Sequence, residues 1–135
     1  TYATHDHPPI AAMWEEFRAN ISSNDEGERV GALWNLRILS EFSGLDLPDD
    51  HVSYRAYDDE VKTALLKALV ETNSCYAALM ITDIYGMSER FNIPGTLGGK
   101  NWRIRMPFTV EEMSKREDLI GPAAELRDLI VASGR

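Results

Sequence analysis

Tyr76-Ala77-Ala78-Leu79-Met80-Ile81-Thr82 is a continuous apolar run, bounded by Asn73-Ser74 before it and Asp83 after it. A run of this length without polar alternation fits a strand buried on both faces, as in a parallel α/β sheet. Ahead of it, Val61, Ala64, Leu65, Ala68 and Leu69, with Leu66 off-centre, recur at the 3-4 spacing of an amphipathic helix. That helix starts at Asp58 or Asp59, either of which can cap it, and runs to about Glu71. A helix followed by a buried strand is the second half of a βαβ unit, so the stretch predicts an α/β origin. A lone buried strand cannot satisfy its own backbone, because its donors and acceptors need neighbours on both edges. The expectation is therefore a portion of a larger sheet.

Working outward, Pro8-Pro9 suits the first turn of a helix, with Ile10, Met13, Trp14 and Phe17 as its apolar positions. Ser22-Ser23-Asn24-Asp25 breaks the pattern and offers caps for a second helix, about Glu26 to Phe42. Val30, Leu33, Trp34, Arg37, Ile38 and Phe42 share one side of it, and Gly44 is placed to end it. Trp14 and Trp34 read as core residues rather than surface platforms. Residues 45–56 read as loop, and Glu15-Glu16 and Asp49-Asp50 as solvated charges. Residues 88–108 hold Pro94, Gly95, Gly98, Gly99 and Pro107, a long irregular loop of the kind that carries function. Thr109-Val110-Glu111-Glu112 is a capping-box sequence. Gly121-Pro122 is expected to separate that short helix from a last one with Leu126, Leu129 and Ile130 on its apolar face. With a strand stub at residues 1–6, the chain taken alone is predominantly α-helical.

At 135 residues the chain fits one segment, 1–135. Lys plus Arg is 14 and Asp plus Glu 22, giving 14 − 22 = −8. An acidic balance disfavours nucleic acid, whose non-specific binding relies on clustered Lys and Arg; neutral sugars make no such demand. Cys75 stands alone, so no internal disulfide forms and a cytoplasmic setting is expected. No apolar run is long enough to span a membrane, no signal peptide opens the chain, and a first residue of Thr rather than Met suggests an excerpt.

Two segments can carry chemistry. Thr4-His5-Asp6 would place an imidazole and a carboxylate after a short strand; the plainer reading is a turn in which Asp6 caps the following helix. Asn92-Ile93-Pro94-Gly95-Thr96 fits a type II β-turn with Pro94 at i+1 and Gly95 at i+2. Asn101-Trp102 follows it, and Trp102 has two readings, an exposed stacking platform or a buried anchor for the loop. Arg103 and Arg105 alternate as on an extended segment, suited to fixing neighbouring carboxylates. His5, Asp6 and His7, with remote His51, do not make a convincing metal site, because no further His or Cys motif supports them. Asp83 reads as structural.

Phe91-Asn92-Ile93-Pro94-Gly95-Thr96, continuing to Asn101-Trp102-Arg103-Ile104-Arg105-Met106-Pro107, closely resembles the signature near the C-terminus of the amylomaltase family of 4-α-glucanotransferases. Ala3-Thr4-His5-Asp6 is similar to that family's late catalytic-strand motif, and the two occur in the family's order at roughly its spacing. The resemblance implies the last quarter of a (β/α)₈ barrel: the final two strand-helix units and a C-terminal helix. A whole barrel needs about 250 residues. It implies that Asp6 is the third catalytic carboxylate, hydrogen-bonding a sugar's 2- and 3-hydroxyls, and that His5 contacts the same sugar. Asn92 and the Pro94-Gly95 backbone would line an α-1,4-glucan (maltooligosaccharide) groove, with Trp102 beside it. No cofactor is implied. His7-Pro8 departs from the Asn-Asp that follows in some members, which leaves the subgroup open. The nucleophile and the general acid/base come, in that family, from strands upstream of anything present here, so the isolated chain is expected to be inactive. The alternative is a non-catalytic glucan-binding module, or one that self-associates through exposed apolar faces.

Overall fold

The computed structural model describes residues 1–2, 4–48, 50, 53–99 and 101–135. Six helices follow one another: α1 (Ile10–Asn20), α2 (Glu26–Ser43), α3 (Asp59–Val70), α4 (Ile81–Ile84), α5 (Val110–Met113) and α6 (Glu117–Ala132). No strand forms among the described residues, so the chain is predominantly helical. Of the expected stub at residues 1–6, Ala3 lies outside the described residues, as do Asp49 and His51.

The apolar run 76–82 is the main correction. Residues 76–80 form a loop and Ile81 opens α4. Tyr76 is 91% exposed. The physical reason is the one that made a lone strand implausible: extended backbone gains its stability from a ladder, and no second strand lies among the described residues. Leu79 and Met80 are still half-buried.

Helix ends follow local chemistry. Asp25 caps α2 by accepting from the Glu28 N–H at 3.0 Å, and Asp58 caps α3 by accepting from the Val61 N–H at 3.0 Å. Gly44 ends α2 in the left-handed region, φ 71°, where a side chain would be strained. Thr109 and Glu112 form a reciprocal capping box on α5. The expected break at Gly121-Pro122 does not occur: α6 starts at Glu117 and runs through Pro122. Glu117 and Asp118 favour the start of a helix through its dipole. Pro122 sits in the second turn, where it removes only one ladder bond.

α1 packs on α2, α2 on α3, and α3 on both α4 and α6. Ile10, Trp14, Ile21, Leu36, Tyr54, Val61 and Leu65 form the core. Trp14 Nε1 donates to Arg55 O at 2.9 Å and Tyr57 N to Glu15 Oε1 at 2.6 Å, tying the loop before α3 to α1. α2 departs from the expected face. Its buried positions are Ala32, Leu36 and Ser40, while Val30, Trp34 (63%), Ile38 and Phe42 are exposed. Leu33, from the expected face, packs partly buried against the core beside Leu36 and Leu39, so the inward stripe lies to one side of the one expected. Trp14 is core as expected; Trp34 is not.

Candidate functional site

The Thr4–His7 turn precedes α1 and is closed by His7 N donating to Thr4 O at 2.9 Å. Thr4 Oγ1 and His7 Nδ1 lie 3.1 Å apart. The turn presents His5 and Asp6 outward, both exposed, with His5 Nε2 3.4 Å from Asp6 Oδ2. Asp6 therefore does not cap α1 through its side chain; Pro9 is the cap position and makes no side-chain bond.

Across from it, the loop after α4 brings Asn92 to the same carboxylate. Asn92 Nδ2 donates to Asp6 Oδ1 at 2.8 Å, joining residues 86 apart in sequence. One carboxylate oxygen is thus held by an amide and the other faces an imidazole. Arg90, which the sequence reading passed over, braces both segments through main-chain carbonyls. Its Nε donates to Asn92 O and its Nη2 to Asp6 O, each at 2.7 Å.

The Asn92 loop is shaped from within. Thr96 N donates to Ile93 O at 3.3 Å, with Pro94 and Gly95 between them and Gly95 at φ 76°. That is the left-handed third position a type II turn requires. Asn101 spans the turn: its Oδ1 accepts from Ile93 N at 3.0 Å and its Nδ2 donates to Thr96 Oγ1 at 2.8 Å. Trp102 N then donates to Phe91 O at 2.8 Å.

Trp102 is the one non-glycine residue at positive φ among the described residues, φ 59°. For a bulky side chain this backbone costs on the order of 1–2 kcal/mol. Its indole is 65% exposed and lies against His5, centroids 5.3 Å apart at 45°. It is therefore not a buried anchor. An apolar ring held outward by strained backbone beside a polar pair suits the face of a sugar.

Four of the sequence-selected residues, His5, Asp6, Asn92 and Trp102, thus form one connected cluster. Pro94 and Gly95 sit at the exposed tip of the same loop, held by their own turn. Arg103 and Arg105 are exposed. Among the described residues no three of His, Cys, Asp and Glu gather as metal ligands, and no helix is long and apolar enough to cross a membrane.

In α4, Asp83 is 2% exposed and its Oδ1 accepts from Ile10 N at 3.0 Å. Burial raises its pKa, opposed by backbone hydrogen bonds from Ile10 and Met80. Tyr2 and Tyr57 hydroxyls nearby are also raised, first by burial and then by the Asp83 charge.

The surface cluster holds a single carboxylate. Retaining cleavage of a glycosidic bond needs two, about 5 Å apart. Asp6, His5 and Asn92 can hydrogen-bond adjacent hydroxyls, and Trp102 can cover an apolar ring face; the arrangement can bind and orient a sugar.

Such a polar pair beside an outward-facing aromatic ring is of a kind suited to a carbohydrate. Residues 1–111 match the family model of the 4-alpha-glucanotransferases, a stretch that includes every residue of the cluster. The chain belongs to that family. No curated protein matches it.

Proposed function

We propose that this chain furnishes one wall of the glucan cleft of a 4-α-glucanotransferase, as the C-terminal quarter of its catalytic barrel. The parent enzyme cleaves an α-1,4 bond, holds the glucan as a covalent ester on a carboxylate, and passes it to the 4-hydroxyl of an acceptor glucan or glucose, a retaining route. Asp6 accepts hydrogen bonds from the 2- and 3-hydroxyls of the sugar at the cleavage point, bonds that strengthen as the ring approaches its oxocarbenium-like state. His5 and Asn92 hold both Asp6 and that sugar, the Pro94-Gly95 turn borders the groove, and Trp102 covers a ring face. The nucleophile and acid/base lie on polypeptide outside these 135 residues, so the chain alone binds but does not transfer. No cofactor takes part, the acidic balance turns away nucleic acid, and the lone Cys75 suits a reducing cytoplasm.

The observation that carries this reading is the 2.8 Å bond between Asn92 and Asp6, since it unites the two motifs that resemble the family's. Calorimetric titration of the chain with maltoheptaose tests it. Saturable heat that disappears in Asp6→Ala is expected; a heat identical in Asp6→Ala, or none with either protein, counts against it.

The exposed stripe Val30, Trp34, Ile38 and Phe42 on α2 favours a second reading, a non-catalytic module that self-associates. Light scattering across a concentration series separates the two, because only the second predicts a concentration-dependent mass that Trp34→Glu abolishes.

A further inference from the structure

The turn that carries Asp6 joins α1 through Pro8 and Pro9. Each fixes its φ near −65° and neither has an N–H to donate. The link is therefore stiff, and wherever Ile10 is held, Asp6 follows four residues away. Ile10 also carries the first free backbone donor of α1, and Pro9 has no side-chain oxygen to accept it. The acceptor comes from far along the chain: Asp83 Oδ1, 73 residues away, at 3.0 Å. Asp83 belongs to α4, the four-residue helix Ile81–Ile84, from which residues 85–89 lead to Arg90 and Asn92. One buried carboxylate thus binds the root of the Asp6 turn to the root of the Asn92 loop.

The surroundings select this contact. Tyr57 Oη and Thr82 Oγ1 are buried beside it and make no hydrogen bond. The Asp83 carboxylate instead accepts the backbone N–H of Ile10. A buried carboxylate costs free energy unless its hydrogen bonds are made, so releasing Ile10 leaves Asp83 poorly satisfied. What it fastens gives this buried carboxylate a role.

We infer that Asp83 is a positioning residue, which sets the distance between Asp6 and Asn92 by pinning the N-terminus of α1 to α4. This rests on the glucan-binding reading of the Asp6–Asn92 pair, and the test keeps the two apart. In the ¹⁵N-labelled full chain, the Ile10 backbone amide, the Asn92 side-chain amide and maltoheptaose affinity are followed together. Asp83→Ala removes the acceptor; Asp83→Asn keeps an oxygen in place. The Ala variant is expected to speed Ile10 hydrogen exchange at least about tenfold. It should also move the Asn92 side-chain signals toward their positions in Asp6→Ala, and weaken maltoheptaose about tenfold with helicity retained. The Asn variant is expected to restore all three. Unchanged Ile10 exchange and Asn92 signals in Asp83→Ala, or an Asn variant no better than Ala, overturn the inference. If the wild type binds no maltoheptaose yet the spectral effects occur, the pin stands and the glucan reading falls. If Asp83→Ala does not fold, Asp83→Asn decides: wild-type Ile10 protection and Asn92 signals support the pin, and their loss refutes it.

Discussion

Replacing Arg90 perturbs the site without touching any group proposed to meet sugar. Its guanidinium makes two 2.7 Å hydrogen bonds, to Asn92 O and Asp6 O, and so clamps one backbone to the other. A hydrogen bond from a charged group contributes about 1.5–3 kcal/mol when well shielded. The Asp6 end is exposed, so screening reduces the figure to about 1 kcal/mol per bond. Arg90→Ala should therefore loosen the arrangement by about 2 kcal/mol, roughly a 30-fold loss of the binding-competent state. Apparent maltoheptaose affinity falls by the same factor, because a ligand reports only the competent fraction. Arg90→Lys keeps the charge but cannot span both carbonyls with a rigid fork, and should lose about fivefold. Calorimetric titration reads the affinity, and circular dichroism checks that the helices are intact. Binding by Arg90→Ala within twofold of wild type would refute the clamp, and equal losses in Lys and Ala would refute the fork.

In the full glucanotransferase, Asp6→Asn should lower maltotriose disproportionation by two or more orders of magnitude while leaving the melting temperature near wild type; near-normal turnover removes Asp6 from the reaction. Trp102→Gly should relieve the positive-φ strain and raise stability by about 1 kcal/mol, a few degrees in Tm, while weakening glucan binding; a loss of stability would show that the backbone there is not strained. For Asp83 the folded pKa lies above the unfolded one, whose ordinary value is 3.8. The group's stabilising term is thus complete below that pH and lost as pH rises through the folded value. Denaturant melts should show Asp83→Asn gaining on wild type as pH is raised from about 3.5 to 7, and a constant difference would contradict burial as the cause.

What the sequence disclosed was local. Asp25, Asp58 and the Thr109–Glu112 box act within three residues of themselves, and Pro94-Gly95 dictates its own turn, so each is readable without tertiary knowledge. The face of α2 was misread because periodicity marks two candidate stripes and does not say which of them meets the other helices. The 76–82 run reads as strand by composition, yet a strand exists only through neighbours. Gly121-Pro122 reads as a break, but proline near a helix start removes little. Arg90 was passed over and Asp83 read only as structural, because their partners lie 84 and 73 residues away; no spacing rule reaches that far. The Asp6–Asn92 pairing was legible only through the resemblance of both motifs to one family.

The most direct measurement is a residue-resolved ¹H–¹⁵N titration of the chain with maltoheptaose, following the Trp102 indole, the Asn92 side-chain amide and the backbone amides of His5 and Asp6. The account predicts that these signals move together along one saturation curve while those of Val30, Trp34 and Ile38 stay still. Shifts confined to the α2 stripe, or no shift at Asp6 and Asn92 under saturating sugar, would contradict it.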